Sequence, residues 1–185
     1  MGCGWVAIGE DSREFTFQGS VEDFPSSTRA ELMAILTAVY ATPKNSTLII
    51  HTDSQASIDA INNSSGVIAK IFKKFKNWTL LYAIKELIAI QNIDFQLVKV
   101  KAHSGIKYND LADKLAKEGS LQSKCIPNIM LLSSLNAVGQ WGPKLIEVPL
   151  RSFVKKIGTS RHTAHWRLLN RNLDVMSDYK SQQVA

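Results

Sequence analysis

The sequence predicts an α/β fold, a mixed sheet with helices on its faces. Three observations carry that prediction: a hairpin-like pair of apolar runs at the start, two long stretches of helical periodicity, and β-type runs interleaved with them in the order β-β-α-β-α-α-β-α. Trp5 to Ile8 is a short apolar run, and Glu14 to Val21 carries Phe15, Phe17 and Val21. The polar Gly9-Glu10-Asp11-Ser12 between them reads as a hairpin loop. From Ala30 to Tyr40, apolar residues fall at helical spacing at Leu32, Met33, Ile35, Leu36, Val39 and Tyr40. Thr28-Arg29-Ala30-Glu31 matches a capping box, and Pro43 closes the helix. Leu48-Ile49-Ile50 is a continuous β-type run, as expected of a strand covered on both faces. A short helix from Ala56 to Ile61 is broken by Asn62-Asn63-Ser64-Ser65-Gly66. Trp78, Leu80, Leu81, Ile84, Leu87 and Ile88 mark the second long helix, and Phe95, Leu97, Val98 and Val100 a further strand. A loop from His103 to Tyr108 leads into a helix bearing Leu111, Ala112, Leu115 and Ala116, stopped by Gly119.

Beyond Gly119 the composition changes. Ser120 to Ser134 is loop-like, and Arg151 to Asp178 is basic and mildly helical. The expected division is therefore 1–119 for the sheet domain and 120–185 for a C-terminal extension. A hydrophobic content of 45% supports a real core, and 22 Lys and Arg against 16 Asp and Glu give a net charge of +6, which favours polyanionic partners. Two cysteines, Cys3 and Cys125, form no disulfide framework, so an intracellular, reducing setting is expected. No apolar stretch approaches the ~18 residues of a membrane span, and no signal peptide opens the chain. His162 and His165, with Cys125 distant, are too few ligands for structural zinc, and Ser104 beside His103 has no sign of a nucleophile set.

Three acids stand where strands end or helices begin: Glu31, Asp53 and Asp113. Singly, each has a structural explanation. Glu31 completes the capping box, Asp53 could be an N-cap, and Asp113 would lie in the first turn after Asn109, where the helix dipole favours negative charge. Their surroundings say more. Ser27-Thr28-Arg29-Ala30-Glu31-Leu32, Ile50-His51-Thr52-Asp53-Ser54-Gln55, His103-Ser104-Gly105 and Asn109-Asp110-Leu111-Ala112-Asp113-Lys114-Leu115-Ala116 occur in that order, each inside the right element. Together, over residues 1 to about 119, they resemble the type 1 ribonuclease H family and its ribonuclease H-like sheet, an antiparallel hairpin joined to parallel strands.

That resemblance implies an endonuclease for the RNA strand of RNA–DNA hybrids, with Glu31, Asp53 and Asp113 as carboxylates around two divalent ions. All-oxygen ligands suit Mg²⁺, with Mn²⁺ as the alternative. Hydrolysing a phosphodiester needs an activated water and a stabilised leaving oxygen on an anionic substrate, and paired ions serve both needs. His103 corresponds to the family's proton-shuttling histidine. Thr28, Arg29, Ser54, Gln55 and Asn109 match substrate-side positions. The basic stretch of Lys70, Lys73, Lys74, Lys76 and Trp78, interleaved with Phe72 and Phe75, stands where the family carries a phosphate-contacting handle, although a solvated helix face has the same pattern.

One part of the pattern is not matched. The family's first strand ends in an Asp-Gly-Ser that supplies a further acid, and the expectation is that this strand precedes Met1 and is absent from the chain. Asp11 lies in the wrong loop to replace it, and Leu145-Ile146-Glu147-Val148 is the only strand-like run that could fill the gap. The tail, with Trp141-Gly142-Pro143 and Arg161 to Trp166, resembles the segment after the ribonuclease H domain of some non-LTR retrotransposon polyproteins, which would place a reverse transcriptase upstream. The alternatives are a non-catalytic module for hybrid or double-stranded RNA, or an inert mobile-element remnant with the same fold.

Overall fold

The computed structural model describes residues 1–21, 26–64, 75–101, 107–121, 139–142 and 144–168. Strands β1 (Gly2–Ile8) and β2 (Glu14–Ser20) form an antiparallel hairpin that places Trp5 opposite Phe17. Their rings stack with centroids 5.7 Å apart. The hairpin turn closes through Gly9 N–H donating to Arg13 O, and Asp11 is exposed and paired with Arg13, away from the other acids. Helix α1 (Ser27–Ala41) follows, then β3 (Thr47–Thr52), α2 (Gln55–Asn63), α3 (Trp78–Gln91), β4 (Asp94–Lys99) and α4 (Lys107–Gly119). β3 and β4 pair in parallel, from Thr47 opposite Asp94 to Thr52 opposite Lys99. The parallel pairing follows from the connection, because α2 and α3 carry the chain back to the starting end.

The expected class and element order are found, with these four strands hydrogen-bonded as two separate pairs, β1 with β2 and β3 with β4. The core lies between these pairs and the helices α1 and α3. Leu32 and Val39 of α1 and Leu80, Leu81 and Ile84 of α3 are fully buried against one another, each side chain contributing about 1.5–3 kcal/mol by leaving water. Successive strand residues face opposite ways, and β1 uses both sides. Cys3 joins the core, and the Trp5 indole donates to Thr37 of α1 at 2.9 Å. On the other side, a Cβ at Gly4 would lie 2.8 Å from Ala116 N and 2.9 Å from Leu115, so the missing side chain lets α4 lie directly on the strand.

That arrangement corrects one expectation. The Leu48-Ile49-Ile50 strand is covered on one face only, since Ile49 is half exposed while Leu48 and Ile50 pack on the core. The helix of the second layer lies over β1 and β2 and does not cover β3.

The extension does not stand apart either. Gln140–Trp141 (β5) and Lys144–Leu145 (β6) form a minimal hairpin around Gly142, whose φ of +61° suits glycine. Ile146 and Glu147 are then buried against the first turns of α1 and α3. A division at residue 119 thus leaves part of the core covering on the far side of the cut. The run from Leu145 pairs with β5 and not with β1 or β3, so it does not fill the place of a further strand in the sheet. Helix α5 (Leu150–Arg167) ends the described chain. Among the described residues, no helix is long and apolar enough to cross a membrane.

Candidate active site

The structural explanations for the three acids fail one by one. The N-cap of α1 is Ser26, whose hydroxyl accepts from Arg29 N–H at 3.1 Å. The helix therefore begins at Ser27, and Glu31 lies beyond the capping turn. The N-cap of α2 is Ser54, accepting from Ser57 N–H at 3.3 Å, so Asp53 is not a cap. α4 begins at Lys107, and its first-turn acid is Asp110, which leaves Asp113 a turn further in. None of the three carboxylates is occupied in starting a helix.

They share an electrostatic environment. Burial pushes the Glu31 carboxyl above the ordinary glutamate range, and the charges of Asp53 and then Asp113 push it further in the same direction. A hydrogen bond from the buried Thr52 side chain acts the other way. Thr52 also accepts from Ser54 N–H at 3.1 Å, tying the end of β3 to the start of α2 around Asp53. Three elements, α1, the β3–α2 junction and α4, thus place Asp53 and Asp113 where their charges reach Glu31. The donors are oxygen only, the set that suits a hard divalent cation. Among the described residues, no group of three or more acids, cysteines and histidines is drawn together closely enough to hold a metal ion.

The residue pattern and geometry meet an independent finding. The family model for RNase H matches residues 2–121. The chain belongs to the ribonuclease H family. Hydrolysis of the RNA strand of RNA–DNA hybrids is the activity of that family, whose members use divalent metal ions, and at family level the protein is a hybrid ribonuclease. It is 30% identical over 125 residues to ribonuclease H of Prosthecochloris aestuarii, an alignment covering 62% of this chain and 82% of that protein. It is 33% identical over 122 residues to ribonuclease H of Campylobacter jejuni, covering 64% and 81%. A third relative, ribonuclease H of Novosphingobium aromaticivorans, is 30% identical over 127 residues, covering 64% and 85%.

In this ribonuclease H fold the remaining expected residues divide. Thr28 and Asn109 are half-buried on the elements that carry Glu31 and Asp113, and the Asn109 Nδ2 is buried with no hydrogen-bond partner among the described residues. Such an amide costs about 1–3 kcal/mol until something accepts from it. Gln55 is exposed, its amide donating to Asp59 at 2.9 Å, and Lys76 is exposed. Ser54 is committed to capping. Arg29 and Trp78 do not face solvent, and this corrects their reading as substrate contacts. Trp78 is 2% exposed, and its indole donates to Ile146 O at 2.7 Å. Arg29 is 4% exposed and forms a bidentate pair with Glu147, the Nη2–Oε1 distance being 3.1 Å. His103, Lys70, Lys73 and Lys74 lie outside the described residues.

Two groups at the site gave no signal in the sequence. Lys99 donates from Nζ to the backbone carbonyl of Asp53, a contact created by the parallel register that sets Thr52 opposite Lys99. Glu147 lies 118 residues from Arg29, and only the folded chain joins them.

The raised Glu31 pKa makes a prediction. A carboxyl whose pKa is higher folded than unfolded contributes stability below the unfolded value and loses it as pH rises through the folded one. In metal-free buffer, Glu31→Gln is expected to raise the denaturant midpoint at pH 7 but not at pH 4. Equal shifts at both pH values in urea titrations would show that ionised Glu31 carries no burden.

Proposed function

We propose that this ribonuclease H cleaves the RNA strand of RNA–DNA hybrids at the edge formed by Glu31, Asp53 and Asp113. The observation that carries the reading is that Asp53 and Asp113 both act on the Glu31 carboxyl, while the helix-start roles of all three acids are taken by other residues. In this reading the three carboxylates hold two divalent ions, Mg²⁺ with Mn²⁺ as substitute, which when bound supply an activated water and charge stabilisation at the leaving oxygen. Glu31, whose carboxyl is raised by burial and by its two acidic neighbours, gains from a cation beside it. Asn109, with its unpartnered amide, and Thr28 and Gln55 orient the substrate backbone, while Lys73, Lys74 and Lys76 meet phosphates. His103 moves the proton. Choice of RNA over DNA comes from 2′-hydroxyl contacts across the wide minor groove of the hybrid. An intracellular setting accords with a sequence whose two cysteines, Cys3 and Cys125, make no disulfide framework. A reverse transcriptase upstream in a parent polyprotein belongs to the same reading and rests on the character of residues 141–166.

A labelled hybrid incubated with the chain and Mg²⁺ or Mn²⁺ tests this. Metal-dependent cleavage of the RNA strand is expected. Hybrid binding without cleavage would instead establish a non-catalytic binding module.

A further inference from the structure

The positive charge of this protein is concentrated in one helix. Residues 150–168 contain Arg151, Lys155, Lys156, Arg161 and Arg167 and neither Asp nor Glu. Taking these five from the 22 Lys and Arg leaves 17 against 16 Asp and Glu, so the rest of the chain is nearly neutral. Solvated helices ordinarily intersperse both signs. Arg151, Lys155, Lys156 and Arg161 are all exposed, and none is in an ion pair among the described residues. At 3.6 residues per turn, Arg161, Arg151 and Lys155 fall within an arc of about 120° that also holds His162 and His165, with Lys156 further round the helix. From Arg151 to His162 the stripe runs about 16 Å along the axis, room for roughly five nucleotides of a strand.

The helix is also held near the site. Ile146 O accepts from the Trp78 indole, Glu147 O accepts from Asn77 N–H at 3.0 Å, and the Glu147 carboxylate grips Arg29. α5 begins three residues after Glu147, and Arg29 stands two residues before Glu31. Three extended residues span about 10 Å. The N-terminal end of the basic helix is therefore tethered within reach of the turn that presents Glu31.

We propose that α5 is a second nucleic-acid-binding element, which lays its cationic stripe on the phosphate backbone of the hybrid engaged at the carboxylate edge. The inference rests on the hybrid-cleaving reading above for its ligand, and on the charge and tether for its place. A membrane surface fits less well. The exposed apolar residues Leu150, Val154, Trp166 and Leu168 stand towards the two ends of the helix, with Gly158, Thr159, Ser160 and Thr163 between them, whereas an interfacial helix needs a continuous apolar face.

The test uses the full chain, a fluorescent RNA–DNA hybrid and chelator-containing buffer at a series of salt concentrations. The variant Arg151→Gln/Lys155→Gln/Lys156→Gln/Arg161→Gln is expected to weaken binding at least tenfold and to flatten the log–log salt slope by about 0.9 for each phosphate no longer neutralised. The charge-preserving pair Arg151→Lys/Arg161→Lys should bind like the parent, and unchanged far-ultraviolet circular dichroism in both variants reports an intact helix. Wild-type affinity and slope in the quadruple variant overturn the proposal. So does loss of binding to phosphatidylserine vesicles with hybrid binding unaltered. Failure of the cleavage reading is recorded separately, as turnover that persists in Asp53→Asn.

Discussion

Asp53→Asn is expected to abolish metal-dependent cleavage while leaving low-salt binding of the hybrid largely intact. The substitution keeps size and shape, and removes a negative charge from beside Glu31. Ser54, not Asp53, caps α2, and the Ser54 N–H to Thr52 hydrogen bond does not involve the carboxylate, so the local fold has no reason to change. What disappears is a charged oxygen donor. Changes one layer removed from a metal cost about 10–100-fold, and loss of a ligand itself should exceed that. Initial rates on a labelled hybrid measure the effect. Near-normal rates in the variant would remove Asp53 from the ligand set. Binding is expected to survive because most of its free energy comes from phosphate contacts by cations elsewhere.

The largest stability effect is expected at Glu147, a residue outside the segment matched by the family model. Glu147→Ala leaves the buried Arg29 guanidinium without its carboxylate, and breaking a buried pair in this way costs about 3–5 kcal/mol. Removing both charges is different. Arg29→Leu/Glu147→Leu should recover much of the loss, since apolar replacements for buried pairs are often neutral. Urea unfolding of the two single variants and the double variant supplies the cycle. A single-variant loss below about 1 kcal/mol, the range of exposed pairs, would show that residues 145–147 do not hold to the body of the protein in solution. A chain cut after Gly119 should be destabilised for the same reason, with Trp78 and Ile146 losing their mutual cover.

Periodicity located the helices well because their apolar faces meet a single core. Leu32, Met33, Ile35, Leu36 and Val39 are buried as spaced, and so are Leu80, Leu81, Ile84 and Leu87. It misjudged β3, since a run such as Leu48-Ile49-Ile50 looks the same whether one face or two are covered. Helix starts were misassigned by two residues at α1 for a local reason: Ser26, Ser27 and Thr28 are all competent caps, and the hydroxyl that finds an N–H is settled by the entering backbone.

From the linear string alone came the family and three candidate acids, because T-R-A-E, T-D-S and N-D-L-A-D are fixed spacings within single elements. The folded chain decided everything that joins distant segments. It set Asp53 and Asp113 in the field of Glu31, withdrew Arg29 and Trp78 from solvent, and bound Glu147 across 118 residues. Burial and Coulomb coupling depend on distance through space, and a sequence records only distance along the chain.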